Sequence, residues 1–146
     1  MRSTTLKFWT WIALGLSLLG FLDSSYLAAS HYVSGPPPCF IVTGCDKVLQ
    51  SKYASVAGVP VAVLGVIYYL SLFFLFVVYL DLGKENLLVF VSRMTIIGIL
   101  VTALLLYLQL FVIKALCIYC LVSAFASLSL FFVSQNIVKL TKHIKT

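Results

Sequence analysis

The sequence predicts an all-α membrane protein, a bundle of four transmembrane helices with one outer loop, and three observations lead there. Of its 146 residues, 62% are hydrophobic and 10% are charged, against about 45–50% and about 25% in a soluble domain. Four apolar stretches, at about 8–29, 59–80, 87–113 and 117–138, run to 20 residues or more. That length crosses a hydrocarbon core of about 30 Å at about 1.5 Å per residue. None shows the alternation of barrel strands, and in lipid only helices and closed barrels satisfy every backbone group. The length allows one domain, spanning 1–146.

The first stretch follows Arg2 and Lys7, as a signal peptide would. Its apolar run exceeds the usual length of about 7–15 residues, and Leu27 spoils a small-x-small site before Ser30. A retained helix is therefore expected, with Trp9 and Trp11 as interfacial anchors. Asp23 falls in its outer half, where an ionisable group is either functional or paired with Ser24, Tyr26 or a neighbouring helix. His31 follows near the outer interface, as a proton donor or as an ordinary interfacial residue.

The outer loop spans about 30–58. Gly35-Pro36-Pro37-Pro38 reads as a stiff stalk presenting Cys39. After Gly44, Val48, Leu49 and Tyr53 recur at roughly helical spacing, with Asp46 where a helix favours a carboxylate. A short amphipathic helix lying on the outer surface is expected just after Cys45. In the second span, Tyr68, Tyr69, Phe73 and Phe74 either line a slot for a flat ligand or simply pack. In the third, Gln109 is placed to hydrogen-bond a neighbouring helix or a ligand. Gly15, Gly20, Gly65 and Gly98 are expected to permit close helix contacts.

The net charge of +6 comes from basic residues scattered at the ends of apolar runs, with no basic stripe, so nucleic-acid binding is rejected. With four spans, Arg2, Lys7, Lys84, Arg93, Lys139, Lys142 and Lys145 share the side of the termini, while Lys47, Lys52 and Lys114 lie opposite. This excess places the termini in the cytoplasm and all four cysteines on the outer face of a cell membrane, where disulfides persist.

The chemistry is in the cysteines. Cys117-Ile118-Tyr119-Cys120 opens the last apolar run. Such a pair at a helix start is a redox dithiol, half of a zinc site, or a pair of packing residues. Helix N–H groups and dipole stabilise a thiolate there, and Lys114 adds positive charge nearby. Positions i and i+3 keep Cβ atoms about 5–6 Å apart, whereas a disulfide wants about 3.8 Å. A bridge between them strains the first turn, which is the character of labile, catalytic disulfides. Cys39 and Cys45, taken alone, read as a loop-stabilising disulfide. Their spacing is wider than zinc ligands use, so no metal is expected. Four cysteines allow three pairings. Both pairs at one membrane face suit a relay, with one dithiol reachable from water and the other from lipid, where the natural electron acceptor is a quinone.

On these residues the chain resembles the vitamin K epoxide reductase family, in its quinone-reducing microbial branch. The resemblance runs through Gly20 to Tyr26, His31, Cys39, Cys45, Val48, Ser51-Lys52-Tyr53, Gly58-Val59-Pro60-Val61, Gly65, Tyr68-Tyr69 and the Cys117–Cys120 motif. It implies that Cys39 exchanges with a thioredoxin-like partner, that Cys45 relays to Cys117 through a transient bridge, and that Cys120 faces the quinone. It further implies that the loop and its short helix cap a quinone site. Ser51, Tyr68, Tyr69, Phe73, Asp23 and His31 are the candidate contacts to a ubiquinone, menaquinone or vitamin K type of quinone. The vertebrate enzymes carry asparagine and tyrosine donors where Val61 and Ala124 stand here, so plain quinone reduction is expected rather than epoxide reduction. The sequence stops at Thr146 with no fused thioredoxin domain, so the partner is expected to be a separate protein. The rival readings are a non-enzymatic four-span protein stapled by two structural disulfides and the same enzyme inserted in the inverted orientation.

Overall fold

A computed structural model describes residues 2–33, 35, 37–39 and 44–145. Its long helices are α1 (Arg2–Val33), α3 (Val61–Leu82), α4 (Glu85–Tyr107) and α5 (Ile118–Lys145). Between α1 and α3 come a single-turn α2 (Cys45–Leu49), a 3-10 turn (Lys52–Ala54) and a hairpin of β1 (Ser55–Val56) and β2 (Val59–Pro60). All four long helices are long and apolar enough to cross a membrane. The protein is an all-α membrane bundle.

The helices form where apolar runs are long, and stop where the chain chemistry changes. α3 starts directly after Pro60, whose fixed φ suits a helix entry, and ends at Gly83 in the left-handed region (φ 61°). α4 does not end cleanly: Leu108–Ile113 widens into a π-helical turn that stops at Lys114, itself left-handed at φ 55°. α1 extends beyond the expected 8–29 at both ends, because nothing in the flanking residues breaks a helix. The expected surface helix is shorter than the 48/49/53 spacing suggested. Ser51 donates its hydroxyl to the Val48 carbonyl (2.7 Å), and its extended backbone (ψ 156°) separates α2 from the 3-10 turn. The hairpin pairs Val56 with Val59, and its turn residues Ala57 and Gly58 both have positive φ (51° and 81°), as two-residue hairpins require. Of the expected Gly35–Pro38 stalk, Pro36 lies outside the described residues.

α1 packs against both α3 and α5, and α4 closes the bundle against α5 and α3. Away from the loop, the interior is solid: Ala13, Leu14, Leu72, Phe76, Leu88, Val91, Leu130 and Ile137 form one buried cluster. Lipid offers no hydrophobic drive for helix association, so close packing and interhelical hydrogen bonds must supply it. Thr95 meets Ser134 (3.1 Å) and Gln135 donates to Ser92 (2.8 Å), tying α4 to α5. Glycines let helices approach: a Cβ on Gly65 would come within 2.8 Å of Ser24 Oγ, and one on Gly20 would overlap the Tyr69 ring. Gly15 has nothing within 4 Å and plays no such part.

Gly20→Val is expected to lower stability by roughly 1–3 kcal/mol through overpacking. Gly15→Ala should be neutral, and thermal unfolding of the purified protein in detergent compares the two.

Candidate functional site

The four cysteines meet where the loop touches the start of α5. Cys39 and Cys45 form a disulfide, with Cα atoms 6.2 Å apart. Cys117 and Cys120 are free thiols. Cys45 and Cys117 are both fully buried and belong to one small cluster with Val48, against which Cys39, Ile113 and Cys120 pack. The loop pair is therefore asymmetric: Cys39 is partly accessible, while Cys45 is sealed against α5 rather than carried on a solvated loop.

Gly44 makes this docking possible. It sits at φ 147°, and a Cβ there would fall 3.0 Å from Ala115 Cβ and 3.3 Å from the Leu116 carbonyl. A larger residue would push Cys45 off the α5 start. One further tie holds the loop down, through a side chain that also packs on α1. Tyr119, inside the Cys-x-x-Cys motif, donates its hydroxyl to the Pro38 carbonyl (3.3 Å), and its ring lies 5.4 Å from that of Tyr26 on α1.

Cys117 occupies the N-cap of α5, its carbonyl accepting the first helical bond from Leu121 N–H (3.1 Å). The N–H groups of the first turn point at its sulfur. Its thiol falls from an ordinary 9.0 to about 7, chiefly because the Cys120 thiol donates a hydrogen bond to it, with help from the backbone N–H groups of Cys120 and Tyr119 and against the opposing effect of burial. Upstream, the π-helical turn delivers Gln109 to the motif. Its side-chain oxygen accepts from Cys117 N–H (3.3 Å), its backbone carbonyl accepts from Ala115 N–H (3.1 Å), and its side chain also reaches Cys120. Gln109 is 3% exposed. Its being the one amide in the third apolar run was the available signal, but a regular helix would not have brought it to Cys117.

A cavity of about 730 Å³ opens beneath the loop, within the range of about 300–1,000 Å³ typical of ligand pockets. Val48, Ser51 and Tyr53 form its roof, Leu27 and His31 of α1, Tyr68 and Tyr69 of α3, and Ile97 and Gln109 of α4 its sides, and Cys120, Ser123 and Ser127 of α5 its remaining wall. Cys120, not Cys117, reaches this space. Of the expected contacts, Ser51, His31, Tyr68 and Tyr69 line it. Phe73 lines a separate hollow with Trp11, Gly15 and Val77. Asp23 lines neither, but one carboxylate oxygen is buried without a hydrogen-bond partner and within electrostatic reach of Cys117, Cys120 and Tyr69. Ser51 spends its proton on Val48, and Tyr69 donates to the Ser123 carbonyl (2.7 Å).

The vitamin K epoxide reductase family model matches residues 11–135, which takes in α3, α4, most of α1 and α5, both cysteine pairs and the cavity. The chain belongs to this family. It is also similar to the thiol-disulfide oxidoreductase LTO1 of Arabidopsis thaliana, 38% identical over 130 residues and covering 82% of this chain. The aligned region is 34% of that relative, so the chain spans about a third of its length.

Two outcomes are expected from this geometry. Thiolate absorbance of the protein with Cys39–Cys45 oxidised should rise with an inflection near pH 7, so that about half of Cys117 is ionised at neutrality instead of about 1% for an ordinary thiol. In Cys120→Ala, which removes the donated hydrogen bond, the inflection should move to higher pH. Gln109→Leu should lower stability by about 1–3 kcal/mol by stranding the buried Cys117 N–H, measured by thermal unfolding.

Proposed function

We propose that this protein is a thiol oxidoreductase that takes two electrons from a thioredoxin-like dithiol protein and passes them to a membrane quinone. The observation that carries this reading is the contact of an oxidised Cys39–Cys45 with a reduced, thiolate-prone Cys117 whose motif partner, Cys120, opens onto an apolar cavity.

The relay runs as successive exchanges. A partner thiolate attacks Cys39, the accessible member, and releases Cys45. The partner's second thiol then resolves the mixed disulfide, leaving the partner oxidised by two electrons and the loop pair as a dithiol. Cys45, already against Cys117, attacks it when Cys117–Cys120 is oxidised and sets Cys120 free. Cys39 then attacks Cys45, restoring Cys39–Cys45 and releasing Cys117 as a thiolate. A depressed pKa makes Cys117 a good leaving group in that step. The resulting state, loop pair oxidised and motif pair reduced, is the one in the structure.

A quinone suits the cavity. The walls are largely apolar, the reduced Cys120 stands in one of them, and two of the lining residues, Tyr68 and Ser127, carry buried hydroxyls without partners. A quinone held there would supply the acceptor for the two electrons and two protons of the dithiol, allowing Cys117–Cys120 to re-form. Asp23 is suited to hold a proton during thiol ionisation. Ser51 acts by fixing the roof. Ubiquinone and menaquinone types both fit, and Val61 and Ala124 favour reduction of a quinone over that of an epoxide. The charge distribution supports cytoplasmic termini, cysteines on the outer face and a cell-membrane setting.

Purified protein supplied with a reduced thioredoxin-like donor should reduce a short-chain quinone, followed by its ultraviolet absorbance. Cys117→Ala or Cys120→Ala should lower the rate at least a hundredfold. Undiminished quinone reduction in Cys120→Ala would overturn the proposal.

A further inference from the structure

Many helical hydroxyls in this bundle bond to a carbonyl of their own helix: Thr10 to Leu6, Ser17 to Ala13, Ser71 to Ile67 and Ser134 to Phe131, at 2.7–2.9 Å. Tyr68 Oη and Ser127 Oγ differ. Both are buried, both lack a hydrogen-bond partner, and both lie in the cavity wall. The reason Ser127 has no bond is visible. The carbonyl four residues before it belongs to Ser123, and that oxygen already accepts from Tyr69 Oη as well as from the helix ladder. Tyr69 thus blocks the usual back-bond and leaves Ser127 free.

The two hydroxyls lie side by side, next to Gly98 of α4. A Cβ at that position would overlap the Tyr68 hydroxyl and come within 3.1 Å of Ser127 Oγ. Three helices therefore leave a small polar spot in an apolar cavity. Adjacent hydroxyls carry two protons, so even when bonded to one another they have one left to donate. A buried hydroxyl without a partner costs about 1–3 kcal/mol, a cost that a ligand acceptor at this spot would relieve.

We propose that Tyr68 and Ser127 together donate a hydrogen bond to one carbonyl of the quinone, holding the ring between this deep end of the cavity and Cys120. The proposal rests on the quinone reading above and specifies how the ring is held. Ser127 is seven residues beyond Cys120, two turns along the same face of α5 and about 10 Å deeper. That interval accommodates one ring, with a carbonyl on the hydroxyl pair and the opposite edge towards the thiol. Val61 and Ala124 also line the cavity but offer no side-chain donor, so the polar anchor sits about one turn deeper on α5 than residue 124. Gly98 gives the pair its room: a side chain there would displace the Tyr68 hydroxyl and press on Ser127.

The test uses the full chain in detergent, with Tyr68→Phe, Ser127→Ala and the double variant, and decylubiquinone and menadione as probes. Calorimetric titration of the oxidised protein should show quinone affinity falling about three- to tenfold in each single variant and further in the double variant. In turnover, KM should rise while kcat stays within about twofold. The infrared carbonyl band of the bound quinone, lowered in frequency on one side by hydrogen bonding, should return towards the unbonded position in Tyr68→Phe, a change that loosened packing would not produce. Wild-type affinity and an unshifted carbonyl band in Tyr68→Phe would overturn the anchor, and that variant decides alone if Ser127→Ala does not fold. If the wild type binds neither quinone, the quinone reading itself falls, and the anchor with it.

Discussion

The contact between the Gly44–Cys45 corner and the Ala115–Cys117 approach to α5 is the constraint on which the rest depends. Thiol–disulfide exchange needs sulfurs in direct contact, yet the proposed relay requires one pair open to a protein in water and the other to a ligand in lipid. The solution is to seal one member of the loop pair against the bundle and leave the other accessible. Burial of Cys45 and Cys117 to zero exposure would exclude water and competing thiols from the proposed exchange between them. Gly44 can approach Ala115 so closely only because it has no side chain. The disulfide, the Tyr119–Pro38 hydrogen bond and the packing of Val48 all reinforce that one contact.

The end of α4 is shaped by the same demand. A regular helix running to Ile113 would carry Gln109 past the motif. The π-helical turn instead holds Gln109 where it bonds both Ala115 and Cys117, and the left-handed Lys114 turns the chain abruptly into α5. The bundle is divided along its length. Its far half is packed solid around Phe76, Leu72 and Leu130, and its loop half is hollow. The rigid half keeps the hollow half open, since nothing in lipid would hold four helices apart without packing elsewhere.

Much of this was legible from residue order. Hydropathy alone located four spans, because a hydrocarbon core demands about 20 apolar residues whatever the tertiary contacts. The cysteine spacings marked the chemistry. What sequence could not reveal depended on neighbours distant in the chain. The run Leu108–Ile113 reads as ordinary helix, so the π turn was invisible. The 48/49/53 spacing suggested one helix, but the bond from Ser51 to Val48 interrupts it. The asymmetry of Cys39 and Cys45 arises from docking on α5, which has no local signature. Phe73 illustrates the limit of composition: it is one turn beyond Tyr69 yet faces Trp11 and Gly15, because the core stripe of α3 runs through Tyr69, Leu72 and Phe76. Ser127 looked like any small helical residue until the Tyr69–Ser123 bond showed why it is unpartnered.

The central claim is that Cys45 and Cys117 are held in exchange contact by the fold itself. It is tested most directly in Cys39→Ala/Cys120→Ala, where those two thiols are the only cysteines left. Mild oxidation followed by non-reducing peptide mass analysis should find a Cys45–Cys117 bridge within single chains, formed rapidly and independently of protein concentration. Two thiols that stay free, or that link only between chains, would contradict it.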